Sequence, residues 1–225
     1  MRAFWGIIRR DGWLGRLLRP DARRTTDNRS FLRLATRIEF ELTDGGIGHS
    51  LLLAAPRSAR IVSHATLELG FCLAEDLGRR VLLVDATFCN SGIGAVLGLE
   101  KNPGLADLLG GADRLFESTI RATRHERIFI LTSGNVAATD PATLRSANLE
   151  GLLRHATAVF DYVLIQGSPV LDDARSLILS PLVERILLIA EEGKTRLEDL
   201  EHSCRDLNAC RAAAVNLVLV KPTHG

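Results

Sequence analysis

Short apolar segments without alternating polar residues recur along the chain and predict buried β-strands. Six segments of four to six residues have this character, at positions 51–55, 81–84, 128–131, 162–165, 186–190 and 215–220. A strand that is apolar along its whole length needs cover on both faces, which is typical of a parallel sheet packed between layers of helices.

Longer segments with apolar residues at helical spacing separate these strands. They span approximately 31–42, 61–77, 104–110, 143–157, 171–182 and 195–209. This alternation of strands and helices predicts an α/β fold, a doubly wound and mostly parallel sheet with helices on both faces. Ligands of such folds bind at the carboxyl ends of the strands, so candidate chemistry is sought there.

Composition excludes several classes of protein. Hydrophobic residues make up 46% and charged residues 24% of the 225 positions, which is incompatible with a wholly disordered chain. The net charge of +1 argues against a nucleic-acid partner. The four cysteines have no paired spacing, and no apolar run approaches the roughly 20 residues of a membrane span. A cytoplasmic protein with reduced thiols is therefore expected.

Basic and aromatic residues are concentrated at the N-terminus. Residues 1–24 carry a net charge of +5 and hold both tryptophans of the protein. We predict a basic amphipathic tail and linker over residues 1–28 and an α/β domain over 29–225. Arginine and tryptophan on a short amphipathic helix suit an anionic membrane interface, and the residues expected to contact the membrane or a partner are Trp5, Ile8, Arg9, Arg10, Trp13 and Leu17. A groove on a partner protein, or packing against the chain's own domain, would also accommodate them.

Three stretches together resemble one protein family. The stretch 81–111 has an acid at the end of its strand and then three short motifs, Gly98-Leu99, Pro103-Gly104-Leu105 and Asp107-Leu108-Leu109. The stretch 160–200 contains a strand, helix, strand and helix, and 29–40 is the helix before the first strand. In this order and spacing they resemble the bacterial tyrosine kinases of polysaccharide export, which are deviant-Walker ATPases. The resemblance implies a P-loop NTPase-like fold over residues 29–221.

The segment after the first strand corresponds to the phosphate-binding loop of that family. Such a loop needs glycines whose N–H groups converge on phosphate, a lysine for the β and γ oxygens, and a Ser/Thr hydroxyl for Mg²⁺. No glycine lies between Gly48 and Gly70, and no lysine precedes Lys101. The lysine position falls on Val62, or on Ser63 if the alignment shifts by one. We therefore predict a degenerate loop with no bound cofactor, made of Pro56, Arg57, Arg60, Val62 and Ser63.

The acidic positions of the family are mostly replaced. Asp85 keeps the first strand-end acid, Thr87 replaces the second, and Gln166 replaces the Walker B aspartate. A neutral amide does not hold Mg²⁺ as a carboxylate does. A lone carboxylate is typical of a helix cap or a solvated strand end. The resemblance thus implies that Asp85, Thr87 and Gln166 are vestigial positions without a catalytic role, that no metal binds, and that ATP and Mg²⁺ bind only if the loop works in an unconventional way.

Further features of the family are also altered. Its kinases phosphorylate a C-terminal tyrosine cluster, whereas the single tyrosine here, Tyr162, begins an apolar strand and is expected in the core. The Glu-x-x-Arg-x-x-Arg pattern that joins subunits into rings survives only as Arg33 and Arg37, so a ring is not predicted and a homo-oligomer stays open.

The stretch 92–98 has dinucleotide-fingerprint glycines but starts seven residues after Asp85, away from the strand–helix turn, and is predicted to be a loop.

The resemblance implies a role in exopolysaccharide biosynthesis and export. With these motifs degenerate, we expect a non-catalytic, pseudokinase-like accessory at the inner face of the cytoplasmic membrane. Its expected partner is a membrane-embedded chain-length or export protein, and a holdfast-type polysaccharide is one possible setting. The alternatives are an ATP-dependent autophosphorylating tyrosine kinase or ATPase of the same export system, and a positioning regulator of the partition or cell-division type.

Overall fold

The computed structural model describes residues 26–42, 48–89, 92–99, 103–110, 116–134, 144, 147–212 and 214–221. Seven strands lie in this part of the chain: β1 His49–Ala54, β2 Val81–Asp85, β3 Arg121–Ala122, β4 Ile128–Leu131, β5 Tyr162–Gln166, β6 Arg185–Glu191 and β7 Ala214–Val220. Its α-helices are α1 Thr26–Leu42, α2 Ala59–Phe71, α3 Ile93–Val96, α4 Leu105–Leu109, α5 Phe116–Thr119, α6 Ala147–Val159, α7 Arg175–Leu179 and α8 Leu197–Ala209.

The strands form one sheet in the order β3-β4-β2-β5-β1-β6-β7. All six predicted strands are present and pair in parallel with one another. The strand β3 was not predicted, because two exposed residues carry no apolar pattern, and it pairs antiparallel with β4 at the edge of the sheet. The predicted fold, a mostly parallel doubly wound α/β sheet, is therefore confirmed.

Two apolar clusters, one on each face of the sheet, form the core. Residues of α1, α2 and α3 pack against one face, which includes Leu51, Leu83 and Leu164. Residues of α4, α6, α7 and α8 pack against the other face, which includes Leu52 and Leu82. Consecutive strand residues thus contribute to opposite clusters, and this explains why the strand sequences are apolar throughout.

Two predicted elements differ from the structure at their beginnings. Helix α1 begins at Thr26, so residues 26–28, predicted as the end of the tail and linker, are helical. The helix predicted over 171–182 is reduced to α7 and a 3₁₀ turn, Ser180–Leu182. Asp173 accepts a hydrogen bond from the backbone N–H of Arg175, which satisfies a donor that would be unpaired at the helix start. The residues before α7 therefore form turns.

Candidate functional site

The sequence-predicted positions meet where β1, β2 and β5 end. Strand β5 lies between β1 and β2, and Asp85 is the register partner of Gln166. The segment after β1 leads through Ser58 into α2, so Ser63 lies one helical turn into α2, opposite these strand ends. This edge is where ligands bind in doubly wound folds. The fold thus brings together Ser63, Asp85, Thr87 and Gln166.

The segment after β1 does not form a phosphate-binding nest. Ser58 has φ −109° and ψ 100°, and no residue from Ala54 to Phe71, a range described without gaps, has a positive φ. A nest needs consecutive N–H groups turned to one point by alternating right- and left-handed conformations. Val62, at the lysine position, is buried in the apolar core between α2 and the sheet. The segment therefore packs as an ordinary strand-to-helix connection.

Arg57 is paired with carboxylates from two other parts of the chain. Its Nε and Nη2 each donate to Asp199 at 3.1 Å, and its Nη1 donates to Asp172 at 3.0 Å. The guanidinium lowers the pKa of the Asp199 carboxyl below its usual range. Arg57 thus links the segment after β1 to helix α8 and to the turn after β5. Pro56, just before it, is buried, whereas Arg60 is exposed.

The Gln166 side chain bridges three parts of the chain. Its Oε1 accepts a hydrogen bond of 2.7 Å from the backbone N–H of Ile93, the first residue of α3. Its Nε2 donates to Ser63 Oγ at 2.7 Å. The residue is 0% exposed. The amide therefore uses both its acceptor and its donor to join α2, β5 and α3, which a carboxylate, with acceptors only, does not do.

Asp85 is buried and accepts hydrogen bonds on both oxygens. Oδ1 accepts from Thr87 N–H at 3.1 Å and Thr87 Oγ1 at 2.7 Å, and Oδ2 accepts from Gly94 N–H in α3 at 2.9 Å. Burial raises the pKa of the Asp85 carboxyl, while these hydrogen bonds lower it. Asp85 thus contacts a helix N–H as predicted for a cap, but it is not a solvated strand end, because α3 covers it.

The backbone of the segment 92–94 lies directly on the Asp85 carboxylate. A Cβ built on Gly92 would come within 2.0 Å of Asp85 Oδ2, so only glycine fits there. This segment contains the short helix α3, and the prediction of a loop over 92–98 was wrong for its first part. Sequence reasoning missed these backbone donors, and the paired glycines Gly92 and Gly94 were the signal that could have indicated the close approach.

These residues do not fit ATP and Mg²⁺. The segment after β1 offers no lysine and no nest, and of the three positions Asp85, Thr87 and Gln166 only Asp85 is a carboxylate. Mg²⁺ favours carboxylate oxygens and waters, and the polar groups here are already bonded to one another. Among the described residues no cluster of three or more His, Cys, Asp or Glu side chains could hold a metal ion. These hydrogen bonds join the ends of β2 and β5 to the helices α2 and α3.

Tyr162 lies in the core, as predicted. It is buried, and its hydroxyl donates to Glu39 Oε2 at 2.7 Å. Burial and the neighbouring Glu39 carboxylate raise the pKa of the phenol above its usual range. The hydroxyl is thus not positioned to accept a phosphoryl group in the folded protein.

The predicted membrane or partner contacts in the tail, Trp5 to Leu17, lie outside the described residues. Within the described ranges, no helix has the length and apolar character needed to cross a bilayer.

Comparisons with solved structures define the class of fold. The kinase domain of the Escherichia coli tyrosine kinase ETK superposes with a TM-score of 0.79 at 18% identity, over 97% of this chain and 90% of that domain. The BceF tyrosine kinase domain gives a TM-score of 0.77 at 22% identity, over 92% and 81%. The septum site-determining protein MinD of Pyrococcus horikoshii gives 0.60 at 21% identity, over 76% and 70%. The fold is therefore that of the P-loop NTPase-like α/β proteins.

Sequence comparison narrows this class to one group of relatives. The tyrosine-protein kinase ptk of Acinetobacter johnsonii is 28% identical over 172 residues, which are 76% of this chain and 23% of that protein. The tyrosine-protein kinase YwqD of Bacillus subtilis is 23% identical over 197 residues, 87% of this chain and 81% of that protein. No protein-family model matches the chain. The predicted resemblance to the bacterial tyrosine kinases is confirmed, and the chain spans less than a quarter of the Acinetobacter relative.

Proposed function

We propose that this chain is a non-catalytic, pseudokinase-like accessory of bacterial exopolysaccharide biosynthesis and export. The observation that carries the proposal is the Gln166 amide, which stands at the Walker B position and binds Ser63 and the Ile93 N–H. In the family that the chain resembles, the aspartate at this position and the hydroxyl of the loop organise Mg²⁺. Here Gln166 and Ser63 are hydrogen-bonded to each other.

The kinase relatives support the choice of pathway. Their names identify tyrosine-protein kinases, among them EpsB of Ralstonia solanacearum and CpsD of Streptococcus pneumoniae. Kinases of this kind serve polysaccharide export, which is the role that the sequence resemblance implied. We therefore place the chain in the cytoplasm, at the inner face of the cytoplasmic membrane, docked on a membrane-embedded chain-length or export protein, with the basic tail contributing to membrane contact.

The loss of nucleotide binding is estimated from the missing contacts. Three charged contacts are lost, namely the loop lysine and the carboxylates replaced by Thr87 and Gln166, and each typically contributes about 1.5–3 kcal/mol. A micromolar affinity corresponds to about 8 kcal/mol. The sum of the losses is comparable with that whole affinity, so we expect no tight binding of ATP·Mg²⁺.

Calorimetry and phosphate transfer test the absence of catalysis. The purified full chain is titrated with ATP and Mg²⁺ and then incubated with radiolabelled ATP, with an active tyrosine-kinase domain such as that of YwqD as positive control. We expect no saturable binding in the micromolar range and no phosphotyrosine. A low micromolar dissociation constant, or phosphotyrosine on the chain, would overturn the proposal in favour of the ATP-dependent kinase that the relatives' names suggest.

A deletion in the source bacterium tests the biological role. We expect exported polysaccharide to fall and to recover when the wild-type chain is supplied in trans. Normal polysaccharide export together with misplaced septa or lost plasmids would instead support the positioning regulator. MinD, the septum site-determining protein compared above, superposes on this chain with the lower TM-score of 0.60.

A further inference from the structure

Helix α1 exposes a stripe of three arginines that ends in a phenylalanine. Arg29, Arg33, Arg37 and Phe40 are all exposed, whereas Phe31, Ala35 and Ile38 are buried against the domain. At about 100° per residue the four exposed side chains fall within about 80° of the helix circumference, over roughly 16 Å of its length. We name these four residues the α1 stripe.

The positive charge of the α1 stripe is largely unneutralised. Arg29 and Arg33 have no ion pair within the ranges that the structure describes, and Arg37 pairs with Glu41 at 2.6 Å. The two acids of this part of the helix are also engaged elsewhere, since Glu39 binds Arg79 and Tyr162, and Glu41 binds Arg185. Among the described residues, the guanidinium groups of Arg29 and Arg33 thus have no acidic partner.

Phe40 is 82% exposed, more than any other large apolar side chain of the described residues. A single exposed aromatic beside arginines has the composition of an interfacial surface, in which a ring enters the headgroup region and guanidinium groups contact lipid phosphates. On the opposite side of the sheet, helix α8 exposes the acids Glu198, Glu201 and Asp206 together with Arg205, so its exposed charge is mixed and mostly acidic.

We propose that the α1 stripe is a lipid-docking surface, which lies flat on the anionic headgroups of a bilayer. The proposal rests on the membrane location given under the proposed function and adds the part of the folded domain that faces the membrane. Charge complementarity supports an anionic surface as the occupant. So does proximity along the sequence, because only four residues separate residues 1–24, with their net charge of +5, from Arg29, the first residue of the stripe.

Vesicle binding of the full chain, with the tail intact, tests this surface. Binding to vesicles of phosphatidylglycerol and phosphatidylethanolamine is compared with binding to phosphatidylcholine alone, for the wild type and for Arg29→Gln with Arg33→Gln. A juxtamembrane arginine contributes about fivefold to such affinity, so we expect the double variant to bind anionic vesicles on the order of 25-fold more weakly. High salt should reduce the difference.

The control removes the same charge from the other side of the domain. Arg154→Gln with Arg205→Gln, in α6 and α8, should bind anionic vesicles as the wild type does, since both residues are exposed on the face covered by the second cluster. Circular dichroism and thermal unfolding of all variants exclude misfolding as the cause.

The other outcomes of these measurements separate the docking surface from the membrane location. If the wild type binds anionic vesicles and the α1 variant binds equally well, the stripe is not the docking surface and the membrane location stands. If the wild type does not bind them at all, the tail-mediated membrane location and this inference both fall. If the α1 variant instead loses self-association in sedimentation, the stripe contacts a second copy of the chain, and the lipid proposal is overturned.

Discussion

The end of the sheet where β1, β2 and β5 meet and the exposed side of helix α1 contrast in how their polar groups are used. At the strand ends Asp85, Gln166 and Ser63 are buried and bonded to one another or to the backbone of α3. On α1, Arg29 and Arg33 point to solvent, and Phe40 is exposed beside them. The first region lies where ligands bind in such folds, but its described polar groups are bonded within the protein, whereas the second exposes its charged groups to solvent.

This difference follows from the free-energy cost of burying polar groups. A buried polar group that loses its ligand is costly unless it finds another partner, so a site without nucleotide is expected to close with internal hydrogen bonds. Surface charges have no such requirement, because water satisfies them. The strand ends should therefore respond to substitution through stability, and the α1 stripe through binding.

The largest effect is expected from restoring the lysine of the phosphate-binding loop. Val62→Lys places an uncompensated charge in the core and should lower the free energy of unfolding by about 3–5 kcal/mol in urea denaturation, without creating ATP binding. Val62→Ala, which removes only packing, should cost about 2 kcal/mol. A stable Val62→Lys variant that binds ATP would show that the site is still open.

A smaller loss is expected from restoring the Walker B acid. Gln166→Asp shortens the side chain, weakens its bonds to Ser63 and Ile93, and places a second carboxylate beside Asp85. We expect a loss of about 2–3 kcal/mol in the free energy of unfolding, measured by urea denaturation. The matched control is Asn208→Asp on the exposed face of α8, which should stay within about 0.5 kcal/mol of the wild type. Equal effects at the two positions would contradict the closed network.

The Arg57 pairs should give a small and pH-dependent effect. The pKa of Asp199 is lowered in the folded state, so this ion pair stabilises the protein above the unfolded-state value of about 3.9 and is lost as the pH falls through the folded-state pKa. Arg57→Gln should therefore be slightly less stable than the wild type at pH 7, and the difference should shrink in thermal unfolding below about pH 3.9. For the exposed control Arg205→Gln, we expect no comparable decrease in the stability difference from the wild type as the pH falls.

The smallest effect on stability is expected on the α1 stripe. Phe40→Ser should change the free energy of unfolding by less than about 0.5 kcal/mol while weakening binding to anionic vesicles. Leu197→Ser serves as control, because Leu197 is 70% exposed at the start of α8, which packs on the other face of the sheet. A drop in vesicle binding with both variants would indicate general hydrophobic adhesion and remove the special role of the stripe.

Much of the fold could be predicted because its signals are local. The unbroken apolar character of β2 and β5 follows from burial on both faces, and each such strand can be recognised without knowing its neighbours. The missing glycines after β1 and the replacements Thr87 and Gln166 are likewise visible in short stretches of sequence. Two elements were not predicted, namely β3 and the helix in the first part of 92–98. They are too short or too exposed to show a periodic pattern of apolar residues.

The partners of the polar residues were decided only by the tertiary structure. Ser63 and Gln166 are 103 positions apart, and Arg57 is 142 positions from Asp199. Nothing local in the sequence distinguishes a Gln166 that faces solvent from one that joins α2 to α3. A hydrogen bond requires atoms of different elements to be placed to within a few tenths of an ångström, and only the folded chain sets these positions. The sequence determined which residue types stand at the positions of the nucleotide site in the family that the chain resembles, because each type is visible at a single position. Only the packing of the strand ends against α2 and α3 determined how those side chains are bonded, since hydrogen-bond geometry exists only once the chain is folded.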